Sequence, residues 1–258
     1  MSMFVRAFVV ATAVVLGPVV IGPTAHASEA PQPPAQNWSF DGFFGTFDRA
    51  SAHRGFTVYK QICSSCHAME LVAYRNLADL GFSAEQITAI AEAGEVEDGP
   101  NDEGDMFMRP AMAADRFVSP FPNEQASRAA NNGAYPPDLS LITKARLGGA
   151  NYIYAVLTGY KEEPPHGVEL MPGMYYNEYF AGHQIAMAPP LADGAVDFED
   201  GTEATVSQMA HDVTTFLAWT AEPRMEERKR LGVKVLLFLI VFTGLLYALK
   251  RKIWQDVH

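Results

Sequence analysis

The feature that most constrains this chain is a five-residue motif, Cys63-Ser64-Ser65-Cys66-His67, which contains the only two cysteines among its 258 residues. Two thiols separated by two residues and followed by histidine have the spacing at which c-type haem is attached. Each thiol adds to one vinyl group of the haem, and the adjacent imidazole is brought to the iron as an axial ligand. The motif therefore predicts one covalent haem c, held by Cys63, Cys66 and His67.

Other uses of a Cys-x-x-Cys motif fit this sequence less well. A zinc site needs two further ligands, usually a second cysteine pair or paired histidines, and the sequence has no second pair. A thioredoxin-like motif opens a helix in a βαβ unit, whereas the apolar pattern before Cys63 is helical. Because haem attachment consumes both thiols, the folded body must be held by its core and by the haem rather than by a disulfide.

The second axial position of the iron has several candidate ligands. Methionine ligation raises the haem potential relative to ligation by two histidines. Met187 stands out because it precedes Ala-Pro-Pro, where the prolines fix an extended backbone and the flanking alanines allow close approach to a flat macrocycle. A methionine buried in the core is the ordinary alternative. The residues alone leave open Met106, Met108, Met112, Met171, Met174, His53, His166, His183 and His211.

A candidate membrane anchor lies near the C-terminus. Residues 231–249 are apolar apart from Lys234, and as a helix they span roughly 28 Å, close to the hydrocarbon thickness of a bilayer. Basic residues flank this run at 228–230 and 250–252. The pattern predicts one transmembrane helix rather than a buried core helix, with its basic C-terminal end in the cytoplasm.

The N-terminal residues have the pattern of a secretory signal peptide. Arg6 precedes the apolar residues 7–16, and Ala-His-Ala at 25–27 matches a cleavage site of the A-x-A type. Export places the body on the periplasmic side of the inner (plasma) membrane, in an oxidising compartment. The expected segments are a cleaved signal peptide at 1–27, a periplasmic c-type haem domain at 28–223, an anchor helix at 224–252 and a cytoplasmic tail at 253–258.

The expected periplasmic body is strongly acidic. Residues 28–223 contain 27 acidic and 10 basic side chains, a net charge of −17. This charge disfavours nucleic acid as a partner and favours a basic protein, with simple solubility as the alternative explanation. The acidic residues concentrate in two stretches: Glu92, Glu95, Glu97, Asp98, Asp102, Glu103 and Asp105, and Asp193, Asp197, Glu199, Asp200 and Glu203.

Periodicity and capping residues predict a mainly α-helical body with long loops. Ser83 and Gln86 have the spacing of a capping box at the start of one helix. Glycine and proline predict loops at 94–105 and 160–204, the second with room for a small hairpin. Helices are expected at residues 47–62, 83–92, 123–131, 149–158 and 206–220.

Ten short stretches are distinctive in themselves and in their order. They are Arg-Gly-Phe at 54–56, Val-Tyr-Lys-Gln at 58–61, Val-Ala-Tyr-Arg at 72–75, Asp-Gly-Pro-Asn at 98–101, Met-Phe-Met-Arg-Pro at 106–110, Arg-Ala-Ala-Asn-Asn-Gly-Ala at 128–134, Pro-Pro-Asp-Leu-Ser at 136–140, Leu-Thr-Gly-Tyr at 157–160, Met-Ala-Pro-Pro at 187–190 and Ala-Glu-Pro-Arg at 221–224. From about residue 38 onwards the chain resembles the cytochrome c1 family. The resemblance implies a mainly α, cytochrome c-like haem domain with long loops, whose last helix crosses the first, plus one C-terminal transmembrane helix.

The resemblance also implies roles for individual residues. Met187 corresponds to the distal iron ligand, Arg146 to a residue that contacts a haem propionate, and Tyr152 lies near it. A guanidinium is always charged and can bind a carboxylate through two hydrogen bonds. Some bacterial relatives carry an added cysteine pair before the methionine ligand, and this chain does not. The loop before Met187 must then be held by packing and by the three prolines between residues 164 and 172.

The function implied by the resemblance is electron transfer within quinol–cytochrome c oxidoreductase, the cytochrome bc1 complex of the respiratory chain. A Rieske iron–sulfur protein would deliver one electron to the haem, and a soluble or anchored cytochrome c would receive it. Cytochrome b and membrane lipid are the other implied partners, in a dimeric complex, and the chain itself needs no substrate-converting site. Two alternatives remain. A haem sensor would have an open sixth position and would bind carbon monoxide. A structural domain without haem would give no haem stain on a denaturing gel.

Overall fold

The structure is a computed structural model that describes residues 31–256. The predicted signal peptide and the last two residues of the predicted tail lie outside this range. Within it the chain is mainly helical with few strands, as the sequence predicts. The helices are α1 (Arg49–Gln61), α2 (Ala84–Glu92), α3 (Glu124–Ala130), α4 (Gly149–Thr158), α5 (Val206–Ala221) and α6 (Met225–Ile253), and the strands are β1 (Glu95–Asp98), β2 (Phe107–Pro110), β3 (Tyr175–Tyr176) and β4 (Gln184–Ile185).

Side-chain caps set where several helices begin. Helix α1 starts after Asp48, whose carboxylate accepts a hydrogen bond of 3.1 Å from the backbone N–H of Ser51. Ser83 and Gln86 form the predicted capping box of α2, with bonds of 3.2 Å and 2.8 Å. The hydroxyl of Thr205 caps α5 in the same way. Each cap satisfies backbone N–H groups that have no partner inside the helix, which fixes the first residue of the helix.

The core forms where α5 crosses α1, as expected. The crossing is close because Gly55 has no side chain: a Cβ there would lie 2.0 Å from the carbonyl oxygen of Asp212 and 2.7 Å from Cβ of Phe216. Aromatic rings fill the space beside the crossing, and Phe56 and Tyr59 both have ring centroids 5.7 Å from that of Phe216. Burying each large apolar side chain contributes roughly 1.5–3 kcal/mol.

A buried carboxylate joins the same two helices. Asp212 is fully buried and accepts hydrogen bonds from the Ser51 hydroxyl (2.7 Å), the Arg54 Nε (2.7 Å) and the Gln208 amide (2.9 Å). Arg54 also reaches the more exposed Asp200, at 2.8 Å. Burial by itself raises the pKa of Asp212, but the imidazole, guanidinium, amide and hydroxyl around it together hold that pKa below its usual range. The carboxylate is therefore ionised and well satisfied by donors.

The region predicted as an acidic loop contains a hairpin, so that prediction is wrong for its first residues. Strand β1 pairs antiparallel with β2, with Glu95 opposite Pro110 and Asp98 opposite Phe107. Arg109 stabilises the pair by binding both Asp98 and, at 2.6 Å, Asp115. The two aspartates lie only 11 and 6 residues from Arg109, but neither strand shows a clear apolar alternation that would have predicted the pairing. The loop at 160–204 does contain a small hairpin, made by β3 and β4.

Helix α6 extends away from the core. It has 29 residues, is long and apolar enough to cross a membrane, and its most apolar stretch is not buried against the rest of the chain. Twenty-nine residues of helix measure roughly 44 Å, more than the hydrocarbon thickness of a bilayer. The helix fits a single-pass membrane anchor.

Candidate haem site

The Cys-x-x-Cys-His motif lies directly after α1. The chain turns there through a short 3-10 helix, Cys63–Ser65, and the backbone N–H groups of Cys66 and His67 both donate to the carbonyl of Cys63, at 3.2 Å and 2.9 Å. The two cysteines are free thiols and half-buried. The turn thus gathers two thiols and one imidazole at the end of a core helix.

The environment of the thiols differs from that of a redox-active pair. Burial raises the pKa of the Cys63 thiol to about 12, and the neighbouring Cys66 adds to the effect. Disulfide oxidoreductases do the reverse and stabilise a thiolate. Among residues 31–256 no group of three or more histidine, cysteine or acidic side chains could hold a metal ion, so the zinc alternative lacks ligands in that range. The Cys63 thiol is therefore unlike the reactive thiol of a disulfide oxidoreductase.

His67 presents one free nitrogen. Its Nδ1 lies 2.8 Å from the carbonyl oxygen of Pro137, and because a carbonyl can only accept, Nδ1 carries the proton and donates. Burial lowers the pKa of His67, and the Pro137 carbonyl and the Asp138 charge offset this only in part. The ring is therefore neutral at neutral pH, with its lone pair on Nε2. A metal-binding histidine is commonly oriented by a backbone carbonyl in this way.

The segment that supplies this carbonyl is fixed to the motif. The backbone N–H of Leu139 donates to the carbonyl of Ala68 at 2.9 Å, and that of Glu70 donates to the Asp138 carboxylate at 2.7 Å. These bonds hold residues 136–140 beside the motif. They explain physically why a Pro-Pro-Asp-Leu-Ser stretch accompanies the haem motif, a role that the sequence alone did not reveal.

Met187 is half-buried and lies in an irregular segment after β4. The Tyr160 hydroxyl donates a hydrogen bond of 3.0 Å to its carbonyl oxygen. Burial raises the pKa of Tyr160, so the hydroxyl remains protonated and able to donate. The bond uses only the main chain of Met187 and leaves the thioether available.

The loop before Met187 is held by one buried amide. Asn177 is fully buried, and its Nδ2 donates to the carbonyl of Val156 in α4 at 2.8 Å. Its Oδ1 accepts from the backbone N–H of Phe180 at 3.1 Å, and Asn177 also pairs with Tyr160 in an isolated β-bridge. The sequence predicted prolines and packing as the source of rigidity here; nothing in it marked Asn177.

Arg146 and Tyr152 lie close together at the start of α4. The Arg146 guanidinium is exposed, donates to the carbonyl of Ala145 at 3.0 Å and forms no ion pair with residues 31–256. Tyr152 packs against the core; burial raises the pKa of its hydroxyl, and the nearby Arg146 charge opposes that rise. An unpaired guanidinium beside a tyrosine hydroxyl is suited to a carboxylate such as a haem propionate.

The other candidate axial ligands have other surroundings. His53 stacks on Phe82 with ring centroids 4.0 Å apart, and His211 stacks on Trp38 at 4.8 Å. His183 lies 3.3 Å from the Asn177 carbonyl. His166, Met106, Met108, Met112 and Met171 are exposed, and Met174 is half-buried. The assignment of Met187 as the second iron ligand stays a prediction.

The predicted site residues thus fall into three hydrogen-bonded or charge-coupled groups. Cys63, Cys66 and His67 lie with residues 136–140, Arg146 lies with Tyr152, and Met187 lies with Tyr160. Within residues 31–256 no hydrogen bond or ion pair joins Met187 to His67. The second and third groups are linked through helix α4, which carries Tyr152 and ends shortly before Tyr160. Two thiols, a neutral imidazole, a thioether and an unpaired guanidinium are the donors that haem c requires, so the residues present fit this group.

Comparison with known proteins identifies a family. A profile described as "Cytochrome C1 family" matches residues 38–257. "Cytochrome c1" of Rhodospirillum rubrum is 48% identical over 100% of this chain and 99% of its own length. The "Cytochrome b-c1 complex catalytic subunit, mitochondrial" of Candida albicans is 50% identical over 87% of this chain and 78% of its own length. "Cytochrome b/c1" of Bradyrhizobium diazoefficiens is 52% identical over 91% of this chain, which spans 37% of the length of that relative.

Proposed function

This chain belongs to the cytochrome c1 family, and we propose that it is the electron-carrying subunit of a membrane-bound quinol–cytochrome c reductase. It relays single electrons from a Rieske iron–sulfur protein to a soluble or anchored cytochrome c, beside cytochrome b in a dimeric complex. The observation that carries the proposal is the geometry of His67. Its Nδ1 is bound to the Pro137 carbonyl, which leaves the lone pair on Nε2, and within residues 31–256 the two thiols of the same motif form no disulfide.

Each residue of the site has a role in this proposal. Cys63 and Cys66 would hold haem c through two thioether bonds, His67 and Met187 would ligate its iron, and Arg146 with Tyr152 would bind a propionate. When bound, haem supplies an iron that takes up and releases one electron. With both residues as ligands the iron would keep no position open for oxygen, which fits electron transfer rather than oxygen chemistry. The carbonyl of Pro137 and the hydroxyl of Tyr160 fix the two ligands, so little rearrangement accompanies each electron.

The membrane topology is part of the same proposal. Residues 1–27 would be removed on export, and residues 28–223 would lie on the periplasmic side of the inner membrane. Helix α6 would anchor the chain with a single pass, and the tail at 253–258 would reach the cytoplasm. The orientation follows from the predicted export of the body, because basic residues lie on both sides of the apolar run, at 228–230 and 250–252, and do not by themselves set it.

Haem staining of a denaturing gel tests the attachment. The exported wild-type chain should retain haem after denaturation because two thioether bonds survive it. A Cys63→Ala/Cys66→Ala double variant should lose essentially all of the stain. Ser64→Ala/Ser65→Ala, which alters the same turn but keeps both thiols, is the matched control and should stain as the wild type does. A wild-type chain that exports and matures without a stained band would contradict the proposal.

The acidic surface predicts a salt-dependent reaction with cytochrome c. Glu95, Glu97, Asp102, Glu103 and Asp105 are exposed around the β1–β2 hairpin. Reduction of added basic cytochrome c should slow by at least about tenfold when the ionic strength rises from about 0.01 M to about 1 M, since the Debye length falls from about 30 Å to about 3 Å. Stopped-flow kinetics of the purified complex measures this, and a rate independent of salt would rule out electrostatic steering.

Charge-neutral variants locate the docking surface. Asp102→Asn/Glu103→Gln should lower the rate at low salt and flatten the salt dependence. Glu162→Gln/Glu163→Gln removes the same charge from exposed positions outside the two acidic stretches and should have the smaller effect. If the two double variants lower the rate of cytochrome c reduction equally, the net charge of the protein rather than the hairpin governs association with cytochrome c. Asp98 and Asp200 are poor choices because each already binds an arginine.

A further inference from the structure

An apolar loop and the first turns of α6 enclose a small cavity of about 200 Å³. Phe43 and Phe44 form the outer wall, and Lys229, Arg230 and Val233 form the helix side. The two phenylalanines are unusually exposed, at 54% and 81%, and their rings meet edge to face with centroids 5.1 Å apart. Two adjacent exposed phenylalanines beside a membrane helix indicate a surface that contacts something apolar.

The loop that bears these rings is fixed to the helix. The ammonium of Lys229 donates to the carbonyl oxygens of Phe40 (2.7 Å) and Gly45 (3.0 Å), at the two sides of the loop tip. The backbone N–H of Phe47 donates to the Glu226 carboxylate at 3.0 Å. The base of the loop also packs into the core, since the ring of Phe40 lies 5.3 Å from that of Phe47. The Phe43–Phe44 tip is therefore held at one height along α6.

At this position along α6 the basic residues 228–230 are followed by the apolar residues 231–249. The cavity reaches Val233, two residues beyond the first apolar residue, Leu231, which corresponds to roughly 3 Å of helix rise. Side chains at this level of an anchoring helix lie in the interfacial zone of the bilayer, where aromatic residues are enriched. The exposed rings of Phe43 and Phe44 thus extend the apolar surface of α6 laterally, at the level where the helix would enter the membrane.

The cavity and its rim carry excess positive charge. Glu226 is the acidic side chain of the cavity, and it is already bound by Arg49 at 3.1 Å and approached by Arg230 at 3.6 Å. Lys229 contacts carbonyl oxygens, with no carboxylate partner among residues 31–256. The Arg230 side chain remains 71% exposed. The lining thus contains two cations, Lys229 and Arg230, against one carboxylate whose charge Arg49 offsets, and this favours an anionic group placed next to apolar chains.

We propose that this cavity binds an anionic phospholipid of the leaflet that α6 enters first. Arg230, with Lys229 and Arg49 behind it, holds the phosphate of the headgroup, while Phe43 and Phe44 lie among the upper segments of the acyl chains. The bound lipid and the paired rings fix the depth and tilt of α6 relative to the haem domain. The proposal rests on the membrane anchoring in the proposed function and is independent of haem attachment and of electron transfer.

Photocrosslinking in nanodiscs tests the site. The full-length haem-loaded chain, carrying p-benzoylphenylalanine in place of Phe44, is reconstituted in discs of phosphatidylglycerol and phosphatidylcholine and irradiated, and the adducts are identified by mass. The result expected is a lipid adduct enriched in phosphatidylglycerol relative to the disc composition. The same probe in place of Leu147, which is 96% exposed on the haem domain, should give no lipid adduct.

Matched arginine variants test the headgroup contact. Arg230→Gln should reduce the enrichment of phosphatidylglycerol by about fivefold, the effect of one basic side chain at a lipid surface. Arg228→Gln, which removes a neighbouring arginine that binds Glu222 outside the cavity, should leave the enrichment unchanged. No lipid adduct at position 44, or equal loss of enrichment in both variants, would overturn the proposal.

Two further measurements separate this site from the proposed function. In the intact complex, a crosslink from position 44 to another protein subunit instead of lipid would identify a protein interface and overturn the lipid site. The haem absorption spectrum and the share of chain in the membrane fraction are recorded for every sample. A chain that is not membrane-bound contradicts the proposed anchoring, whereas an anchored chain without a lipid adduct contradicts only the lipid site.

Discussion

Replacing Met187 with leucine is expected to lower the haem midpoint potential by on the order of 0.1 V or more, out of the roughly 0.8 V range that axial ligands span. Leucine keeps the size and apolar character of the side chain but removes the thioether that is the proposed iron ligand, and methionine ligation raises the potential. The reduced protein should also become able to bind carbon monoxide, because one axial position is no longer held. A redox titration and a reduced absorption spectrum with and without carbon monoxide measure both effects in the purified complex.

The same substitution at other methionines controls for a general effect on packing. Met108 and Met171 are exposed by 58% and 57%, and Met108→Leu and Met171→Leu should leave the potential and the spectrum unchanged. Tyr160→Phe removes only the hydrogen bond to the Met187 carbonyl and should lower the haem midpoint potential by a smaller amount. A normal potential in Met187→Leu, or a fall confined to one of the control variants, would assign the ligand to another residue.

Structural features that depend on residues close together in the sequence could be predicted well. Ser83 and Gln86 marked the start of α2 because a capping box needs only residues three apart. The apolar run of α6 needs only its length and basic flanks. The limits of α4 were predicted to the residue, and α5 was predicted to within one residue. In each case the physical cause acts within a few turns of the same segment.

Features that depend on distant partners could not be predicted in this way. The carbonyl of Pro137 orients His67 across 70 residues. The Asp98–Arg109 pair spans only 11 residues, but it joins two strands that show no clear apolar pattern of their own. Tyr160 lay within a stretch already noted for its family resemblance, yet its contact with Met187 spans 27 residues. Asn177 had no signal at all, because a buried asparagine reads as a surface residue until its partners are known.

Replacing Asp212 with alanine is expected to destabilise the haem domain by about 3 kcal/mol, the lower end of the range for breaking a buried ion pair. The carboxylate is fully buried between α1 and α5, and its loss leaves Arg54 half-satisfied and the Ser51 hydroxyl without its acceptor. The value falls at the lower end because Asp200 still pairs with Arg54. Guanidinium unfolding of the purified haem-loaded protein, followed by tryptophan fluorescence, measures the change.

Asp200→Ala is the matched control, since it removes the other carboxylate from the same guanidinium. The Asp200 side chain is 45% exposed, so its ion pair should contribute less than about 1 kcal/mol. The destabilisation by Asp212→Ala should also depend on pH. Because the pKa of Asp212 is lowered in the folded protein, its stabilisation is present above the ordinary carboxyl pKa of about 3.9 and is lost as the pH falls through the folded value. The difference in unfolding free energy between wild type and Asp212→Ala should therefore become smaller below about pH 4. A difference that stays constant there would mean that the missing side-chain volume, rather than the missing charge, destabilises the variant.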